Sequence, residues 1–458
     1  MALHQYIGAR YVPTFYTNSQ GTAEWSSGVI YEPLTIVTYN NNSYTSKKLV
    51  PASVGNPSAN PEYWVATGVY NAQVGVLTDR VDALDGRCDD IEDDITTLEK
   101  KTRYYTPEMF GATGDGTTDD SAAFQAMFDE IPTNSHIVIS AQYYKIDNAL
   151  VLNKQNTKIF ALGKSDYNPA LLSSVTGDAT LKVTAPGCSF YHMQITGTEE
   201  AWLQNDSIGW EFDLDDATWL GNIDATMFDC ACFRLYKGIV TRGRNLMANA
   251  CMFSNCTYAI VYEQTVTVGA EQCRGMVVNN CRFHAITVAV TNNINYSGTR
   301  HNIVLQNNFA DITANLFNGY TGNVVIKGNV QHADTSGAGG FITIKEGLYA
   351  DDTSRDVIQD NAFYGGSNTG NGIYINGAVH VDIKHNNISN AKNHGIIATA
   401  GAVVCILGNI INHCATAAGT NAVTVGAAAS GYIIGNVIIN GGAISAGGAT
   451  AADNYGTA

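Results

Sequence analysis

The chain has 458 residues, of which only 14% are charged and 45 are glycine, and its formal net charge is −16. Average globular domains have roughly 25% charged residues, so this composition indicates a β-rich, repetitive protein. The sequence also lacks the basic stripe with which nucleic-acid-binding proteins neutralise phosphates, which excludes a nucleic-acid partner.

Targeting and cofactor signals are absent from the sequence. The first residues, MALHQYIGARYVP, contain no apolar segment of a signal peptide, and no stretch approaches 18 uninterrupted apolar residues. We therefore expect a protein made in the cytoplasm without a membrane span. Most of the ten cysteines lie in alternating apolar stretches, which predicts buried free thiols. Cys230 and Cys232 have no matching cluster, so we expect no metal and no other cofactor.

Residues 1–69 predict a small aromatic-rich β module, because short β runs such as Leu34–Tyr39 alternate with Asn and Gly turns. Its aromatic order resembles the small chitin-binding-type carbohydrate modules, and also amino-terminal modules of structural proteins of phages that infect Gram-positive bacteria. The resemblance leaves two roles open: a compact core that docks on other virion proteins, or sugar stacking. The rings concerned are Trp25, Tyr31, Tyr39, Tyr44 and Trp64.

Residues 70–103 predict a coiled coil, because apolar residues alternate steps of three and four while charged residues occupy the other positions. The a positions are Val74, Val81, Cys88 and Ile95, and the d positions are Leu77, Leu84, Ile91 and Leu98. This mixture of β-branched residues and Leu fits two or three strands.

Residues 104–458 repeat an apolar-x-x-Asn-x-apolar pattern, for example IKHNNI at 383–388 and IIGNVI at 433–438. The asparagines assigned to one stacked turn are 255, 280, 307, 329, 361, 386, 409 and 436. A period near 25 residues with short β runs predicts stacked coils at a spacing of about 4.8 Å. We expect about a dozen coils, a length on the order of 60 Å and an amide ladder along one turn.

The segment FGATGDGTTDDSAAFQAMFD at 110–129 lacks the Lys-Ser/Thr of a phosphate-binding loop and the spacing of an EF-hand. It resembles the opening signature of the pectate-lyase-like superfamily, which many phage tailspikes share. The resemblance implies a turn and a short helix that cap a right-handed parallel β-helix. The residues favour a helix with Thr117 or Thr118 as N-cap and Asp119 and Asp120 in its first turn. Its apolar face would be Ala123, Phe124, Met127, Phe128 and Ile131.

The predicted fold class is mainly β: a right-handed parallel β-helix preceded by a short trimeric coiled coil and a small β-rich amino-terminal module. The trimer follows from the resemblance, since phage β-helix spikes are typically homotrimers and the coiled coil directly precedes the β-helix.

The densest group of acids next to aromatic rings is EFDLDDATW at 211–219. Glycoside hydrolysis needs two carboxylates about 5 to 9.5 Å apart, and neighbouring coils supply such distances. We take Asp213, Asp215, Asp216 and Glu263 as catalytic candidates, and Trp210 and Trp219 as further sugar-binding rings. Other acids between the repeats are Glu211, Glu271, Asp334, Glu346, Asp351 and Asp352.

The resemblance to the pectate-lyase-like superfamily and its phage tailspikes implies a bacteriophage virion appendage, a tailspike or fibre, that binds a host-surface polysaccharide. The sequence leaves open whether it acts as a hydrolase, as a lyase or not as an enzyme. The alternative is a non-enzymatic structural or adhesive phage protein, for example one attached to the capsid. Expected partners are two further copies of the chain, other virion proteins at the amino-terminal region and the host glycan.

Overall fold

The computed structural model describes residues 13–68, 78–92, 94, 104–141, 143–162, 169–198, 206–213, 225–242, 245–263, 275–293, 302–333, 340–346, 355–366, 370–399 and 401–457. The chain divides into two compact units, residues 1–102 and 103–458. Within the described ranges, no helix has the length and apolar character needed to cross a membrane.

The first unit contains a four-stranded sheet in the order β1 (Thr14–Phe15), β2 (Thr35–Tyr39), β3 (Asn42–Ser46) and β4 (Trp64–Gly68), with a 3-10 turn at Pro57–Ala59. Strands β2 and β3 form an antiparallel hairpin. Its turn residues, Asn40 and Asn41, have positive φ angles of 45° and 64°, as a tight hairpin turn requires. The core of this unit consists of Tyr31, Val37, Val50 and Trp64.

Residues 78–92 and 94 are helical, and every one of them is exposed. The predicted seam positions Val81, Leu84 and Ile91 are 62%, 53% and 53% exposed. Cys88, a further seam position, is also exposed. The seam residues Val74, Leu77, Ile95 and Leu98 lie outside the described residues, and the coiled coil stays a prediction.

The second unit winds through three parallel β faces. Face A comprises β5 (Tyr104–Tyr105), β7 (His136–Ile139), β10 (Lys158–Ala161), β13 (Ser189–Tyr191), β16 (Ala225–Phe228), β19 (Leu246–Asn249), β22 (Met276–Asn279), β24 (Ile303–Gln306), β26 (Val325–Lys327), β29 (Asp356–Gln359), β32 (His380–Lys384), β35 (Val403–Leu407), β38 (Ser430–Ile434) and β41 (Thr450–Ala452). Face B comprises β6 (Asp115–Asp119), β8 (Tyr143–Ile146), β11 (Ala170–Ser173), β14 (Gln194–Gly197), β17 (Ala231–Phe233), β20 (Met252–Ser254), β27 (Val330–Ala333), β30 (Ala362–Tyr364), β33 (Asn387–Ser389), β36 (Ile410–Asn412), β39 (Val437–Ile439) and β42 (Tyr455–Thr457). Face C comprises β9 (Leu150–Leu152), β12 (Ala179–Val183), β15 (Ile208–Phe212), β18 (Lys237–Thr241), β21 (Tyr258–Tyr262), β28 (Ile342–Lys345), β31 (Ile373–Asn376), β34 (Ile396–Ala398), β37 (Val423–Val425) and β40 (Ile444–Ser445). Two long strands, β23 (Arg282–Asn292) and β25 (Phe309–Tyr320), run through both face B and face C.

Equivalent residues of successive coils stack on one another inside this solenoid. Ile358 is in register with Ile383, which is in register with Ile406, and Ile406 with Ile433. All four are fully buried. Like side chains therefore pack on like, and the predicted parallel β-helix is confirmed.

The 110–129 segment closes the first coil, but its helix begins later than predicted. The helix is Ser121–Glu130, preceded by the strand Asp115–Asp119, which pairs with β8. Asp120 stands at the N-cap position and instead accepts hydrogen bonds from the backbone N–H groups of Thr113 and Gly114, at 2.6 and 3.2 Å. Thr117 and Thr118 are therefore strand residues and not N-caps, and Asp119 and Asp120 precede the first turn. The apolar face is as predicted, since Phe124, Met127, Phe128 and Ile131 are buried and Ala123 packs against them.

The amide ladder exists, but its members differ from the predicted set. It consists of Asn308, Asn329, Asn361, Asn386, Asn409, Asn436 and Asn454. The side-chain amide of each of the first six donates to Oδ1 of the next member at 2.9–3.0 Å. Asn280 and Asn307 instead hold the left-handed backbone position that precedes the ladder position, at φ 54° and 55°. Asn255 has the same conformation at a different corner, between faces B and C. The structure thus corrects the register by one residue at Asn307 and removes Asn255 and Asn280 from the ladder.

Candidate active site

Face C carries a cluster of charged side chains on four successive coils, which we call the charge cluster. Its acids are Glu211, Asp213 and Glu263, and its bases are Lys182, Lys237 and Arg242. The strand register brings these side chains together. Lys182 on β12 is the register partner of Glu211 on the neighbouring strand β15. Asp213, Arg242 and Glu263 each follow the last residue of a strand, and their N–H groups bond to the coil before.

Lys182 bridges two carboxylates. Its Nζ lies 3.2 Å from Oε1 of Glu211 and 2.7 Å from Oδ2 of Asp213. These two oxygens therefore lie no more than about 6 Å apart, which is compatible with the two-carboxylate chemistry of glycoside hydrolases. The hydrogen bond to Asp213 raises the pKa of Lys182, which makes this side chain a fixed cation and a poor general base.

Arg242 bridges a second pair of carboxylates. Its Nη1 donates to Oε1 of Glu211 in a short contact, and its Nη2 lies 3.4 Å from Oε2 of Glu263. Lys237 contacts the other oxygen of Glu263 at 2.7 Å. Glu211 is only 5% exposed, whereas the side chains of Asp213 and Glu263 are 31% and 19% exposed. Solvent and a ligand therefore have access to Asp213 and Glu263, with Glu211 beneath them.

The structure brings Asp213 and Glu263 together, and it joins to them Glu211, which the sequence put among the further acids. Asp215, Asp216 and Trp219 lie outside the described residues, as do Glu271, Asp334, Asp351 and Asp352. Glu346 does not join the cluster; its Oε2 accepts the N–H of Ala378 at 2.9 Å.

The burial of Trp210 contradicts its predicted role as a sugar-binding ring. It lies on β15 and faces the solenoid core with no exposed surface. A ring without an accessible face cannot stack on a pyranose, so this assignment is corrected. The neighbouring Glu211 points to the opposite side of the same strand, as strand alternation requires.

The rings of the amino-terminal unit divide into two groups. Tyr31 and Trp64 are each 2% exposed and contact one another edge to face at 5.3 Å, so they form core and not a sugar platform. Trp25 and Tyr39 are half-buried and pair edge to face at 5.6 Å, and Tyr44 is also half-buried. Next to Tyr39, a polar groove of about 500 Å³ is lined by Thr22, Glu24 and Asn41, among others.

The three bases of the charge cluster were missed at the sequence level. Lys182 comes from β12, whereas Lys237 and Arg242 lie at the two ends of β18, so the three bases form no local motif in the sequence. The sequence separation between Asp213 and Arg242 does indicate that they are neighbours. They occupy the same place in successive coils, directly after β15 and β18. Among the described residues, no group of three or more His, Cys, Asp and Glu side chains is arranged to hold a metal ion.

No protein-family model matches the chain. Over 108 residues, which are 22% of this chain and 13% of the relative, it is 30% identical to "Depolymerase 1, capsule KN3-specific" of Klebsiella phage KN3-1. The catalytic unit of the thermostable GH87 α-1,3-glucanase from Streptomyces thermodiastaticus strain HF3-3 superposes with a TM-score of 0.54 and 15% identity, covering 78% of this chain and 69% of that one. The Agl-KA catalytic domain gives a TM-score of 0.51 and 13% identity, with 78% and 68% covered. At these identities the two solved structures share the fold and carry no conclusion about the reaction.

Proposed function

We propose that this chain is a bacteriophage virion appendage, a tailspike or fibre, that binds a host-surface polysaccharide and hydrolyses it at the charge cluster. The observation that carries the proposal is the pair Glu211 and Asp213, held within about 6 Å by Lys182 on the outside of a parallel β-helix. The local similarity to a capsule-specific phage depolymerase supports the same biological setting. Only a small part of that relative is matched, so its specificity is not carried over.

The proposed appendage is a homotrimer with a right-handed β-helix. The exposed seam of Val81, Leu84 and Ile91 supports a coiled coil between copies, because apolar helix positions left in water favour association. The right-handed winding follows from the strong preference of parallel crossovers for that hand. The buried core of Tyr31 and Trp64 favours docking on other virion proteins as the role of the first unit.

A non-enzymatic adhesive fibre is the second candidate, and one observation favours it. Each carboxylate of the charge cluster is paired with at least one Lys or Arg side chain. Glycoside hydrolysis needs two carboxylates that act on the scissile bond, whereas carboxylates that are already engaged in ion pairs can also serve only to hold the coils together.

The test is the release of reducing ends from a panel of purified capsular and cell-wall polysaccharides of several bacterial hosts, Klebsiella among them. We expect release by the intact chain, loss of release in Glu211→Gln and Asp213→Asn, and no change in Glu130→Gln, an exposed acid of the capping helix. Unsaturated sugar products would indicate a lyase instead of a hydrolase. Binding without any product would favour the adhesive fibre, and neither binding nor product would refute the glycan proposal.

The two predicted catalytic acids that lie outside the described residues belong in the same assay. Asp215→Asn and Asp216→Asn are measured beside the Glu211 and Asp213 variants. If only Asp215→Asn or Asp216→Asn removes activity, the catalytic site lies in that neighbouring segment and not in the charge cluster.

A further inference from the structure

Face B carries a second row of side chains that the charge cluster does not use, and we call it the ring strip. It consists of Arg282 on β23, Phe309 on β25, His332 on β27 and Tyr364 on β30. Their strand neighbours Phe283, Ala310, Gln331 and Phe363 are buried in the solenoid. Because side chains alternate along a strand, the four residues of the strip all point outward.

The members of the ring strip contact one another from coil to coil, and the strip shifts by one outward position between Phe309, which is in register with Val330, and His332. The guanidinium carbon of Arg282 lies 5.7 Å from the Phe309 ring centroid. The rings of Phe309 and His332 are 6.0 Å apart, and those of His332 and Tyr364 are 5.0 Å apart. The strip thus continues over four coils, which at about 4.8 Å for each step is a length of about 14 Å.

The ring strip is open to solvent. Phe309 and Tyr364 are 42% and 38% exposed, and Arg282 and His332 are also exposed. Single exposed rings are ordinary, but a contiguous row of them indicates a contact surface. Flat apolar faces at coil spacing, interleaved with polar groups, match a sugar chain, whose pyranose rings offer C–H groups on their faces and hydroxyls at their edges.

The charged groups beside the ring strip indicate which class of sugar it would bind. Arg282, His284 and His332 supply cationic or hydrogen-bond-donating groups. Among the described residues of face B, the acid beside them is Asp311, which lies 3.4 Å from Nδ1 of His284 and is in register with His332. This contrasts with the net charge of −16 of the whole chain. A guanidinium binds a carboxylate through two parallel hydrogen bonds, whereas neutral hydroxyls gain less from it.

We propose that the ring strip is a binding site for an acidic glycan that crosses these four coils obliquely, with pyranose rings stacked on Phe309 and Tyr364 and a uronate carboxylate at Arg282. The site deepens the proposed function and rests on it, because it takes the ligand to be a surface polysaccharide. It is separate from the charge cluster, which lies on face C.

The experiment measures binding of the full chain to an array of acidic and neutral capsular oligosaccharides, in the Glu211→Gln background so that no probe is consumed. We expect Phe309→Ala and Tyr364→Ala to weaken binding at least tenfold. The matched control is Tyr432→Ala, which removes a 58% exposed ring from face A. Arg282→Gln is expected to remove the preference for acidic over neutral probes.

The outcomes separate the two proposals. If the chain binds glycans and both ring variants bind like Tyr432→Ala, the ring strip is refuted while the proposed function stands. If only neutral probes bind, the uronate assignment is refuted. If the chain binds no probe, the strip and the proposed function fail together.

Discussion

The backbone N–H of Cys281 donates a hydrogen bond to Oδ1 of Asn308, 2.8 Å away, at the point where a stack of cysteines becomes a stack of asparagines. Cys230, Cys251 and Cys281 occupy the corner between faces A and B that asparagines occupy from Asn308 onward. The thiol of Cys281 contacts the carbonyl of Ala248 at 3.5 Å, and the amide of Asn308 donates to the carbonyl of Val278 at 3.0 Å. The cysteine thiols and the asparagine amides therefore occupy the same corner position in successive coils. Burial at this corner raises the pKa of the Cys230 and Cys281 thiols.

Asn361, in the middle of the ladder, should be among the least replaceable residues of the solenoid. Its amide donates to the carbonyl of Ile326 and to Oδ1 of Asn386, and its own Oδ1 accepts from Asn329. Asn361→Ala leaves several buried polar groups unpaired, at about 1–3 kcal/mol each. We expect the free energy of unfolding in urea to fall by about 3 kcal/mol or more. The control Asn387→Ala alters a half-buried, outward residue one coil further on, and an equal loss in both variants would contradict the ladder's importance.

Cys281→Asn should be tolerated, because it extends the ladder by one amide. The new side chain would find Oδ1 of Asn308 and the carbonyl of Ala248, the two acceptors already at this position. We expect the free energy of unfolding to stay within about 1 kcal/mol of the parent, whereas Cys281→Ala creates a small cavity and costs about 1–2 kcal/mol. Thermal unfolding of the two variants side by side decides this, and a greater loss in Cys281→Asn would mean that amide and thiol are not equivalent here.

Asp356 should make the free energy of unfolding fall as the pH rises, which is unusual for an aspartate. The side chain is fully buried at the start of β29, and burial raises its pKa to about 6 although Thr321, Gly322 and Val324 donate to it. Since the folded-state pKa lies above the unfolded one, this group stabilises the fold most below about pH 4, and the contribution is lost as the pH rises through about 6. The difference corresponds to about 3 kcal/mol.

The measurement compares the parent with Asp356→Asn, which keeps an oxygen for the two backbone donors and an amide for Thr321. The stability of the parent relative to this variant should fall by about 2.4 kcal/mol between pH 4 and pH 7. A difference that is constant with pH would mean that Asp356 has an ordinary pKa.

The sequence was sufficient to predict the parallel β-helix because the solenoid repeats its local rules. Each coil needs an apolar inward row and a corner residue with left-handed backbone, and both leave a periodic trace, as at Ile383, His385 and Asn386. The ladder register was misjudged at Asn307 because two adjacent asparagines satisfy the pattern equally well. Asn308 differs from Asn307 only in the structure, where the side chain of Asn308 points inward and is buried.

The candidate site was only partly predictable from the sequence, because its residues do not repeat from coil to coil. Asp213 and Glu263 could be chosen as acids between repeats, but their cationic partners lie one coil away and depend on exact coil lengths. Trp210 failed as a sugar platform because its neighbour Glu211 takes the outward position of the strand. A window of mixed acids and rings does not reveal which side chain faces solvent until the strand register is fixed.

Arg242 should matter for stability more than an ordinary surface arginine, because it neutralises Glu211, whose side chain is only 5% exposed. Arg242→Ala leaves that carboxylate with Lys182 alone, and removing one partner of a buried pair typically costs about 3–5 kcal/mol. The double variant Arg242→Ala with Glu211→Ala should regain part of this loss, as a double-mutant cycle in urea would reveal. Lys327→Ala, whose 54% exposed side chain lies 3.9 Å from Asp360, is the control and should cost less than about 1 kcal/mol. Equal effects of the two single variants would show that the charge cluster is energetically an ordinary surface network.

Leu84 provides the test of assembly. Its side chain is 53% exposed in the single chain and occupies a d position, so in a coiled coil it would lie at the interface between helices. A carboxylate there would be buried against copies of itself, and we expect Leu84→Asp to convert a trimeric mass in light scattering to a monomeric one. Asp82→Asn, one position after a seam residue on the same helix, should leave the trimer intact. Because the β-helix core lies in residues 103–458, Leu84→Asp should keep the β-sheet circular dichroism of the parent. A trimeric mass for Leu84→Asp would place the interface between copies on the β-helix instead of the helical segment, and a dimeric mass for the parent would refute the trimer.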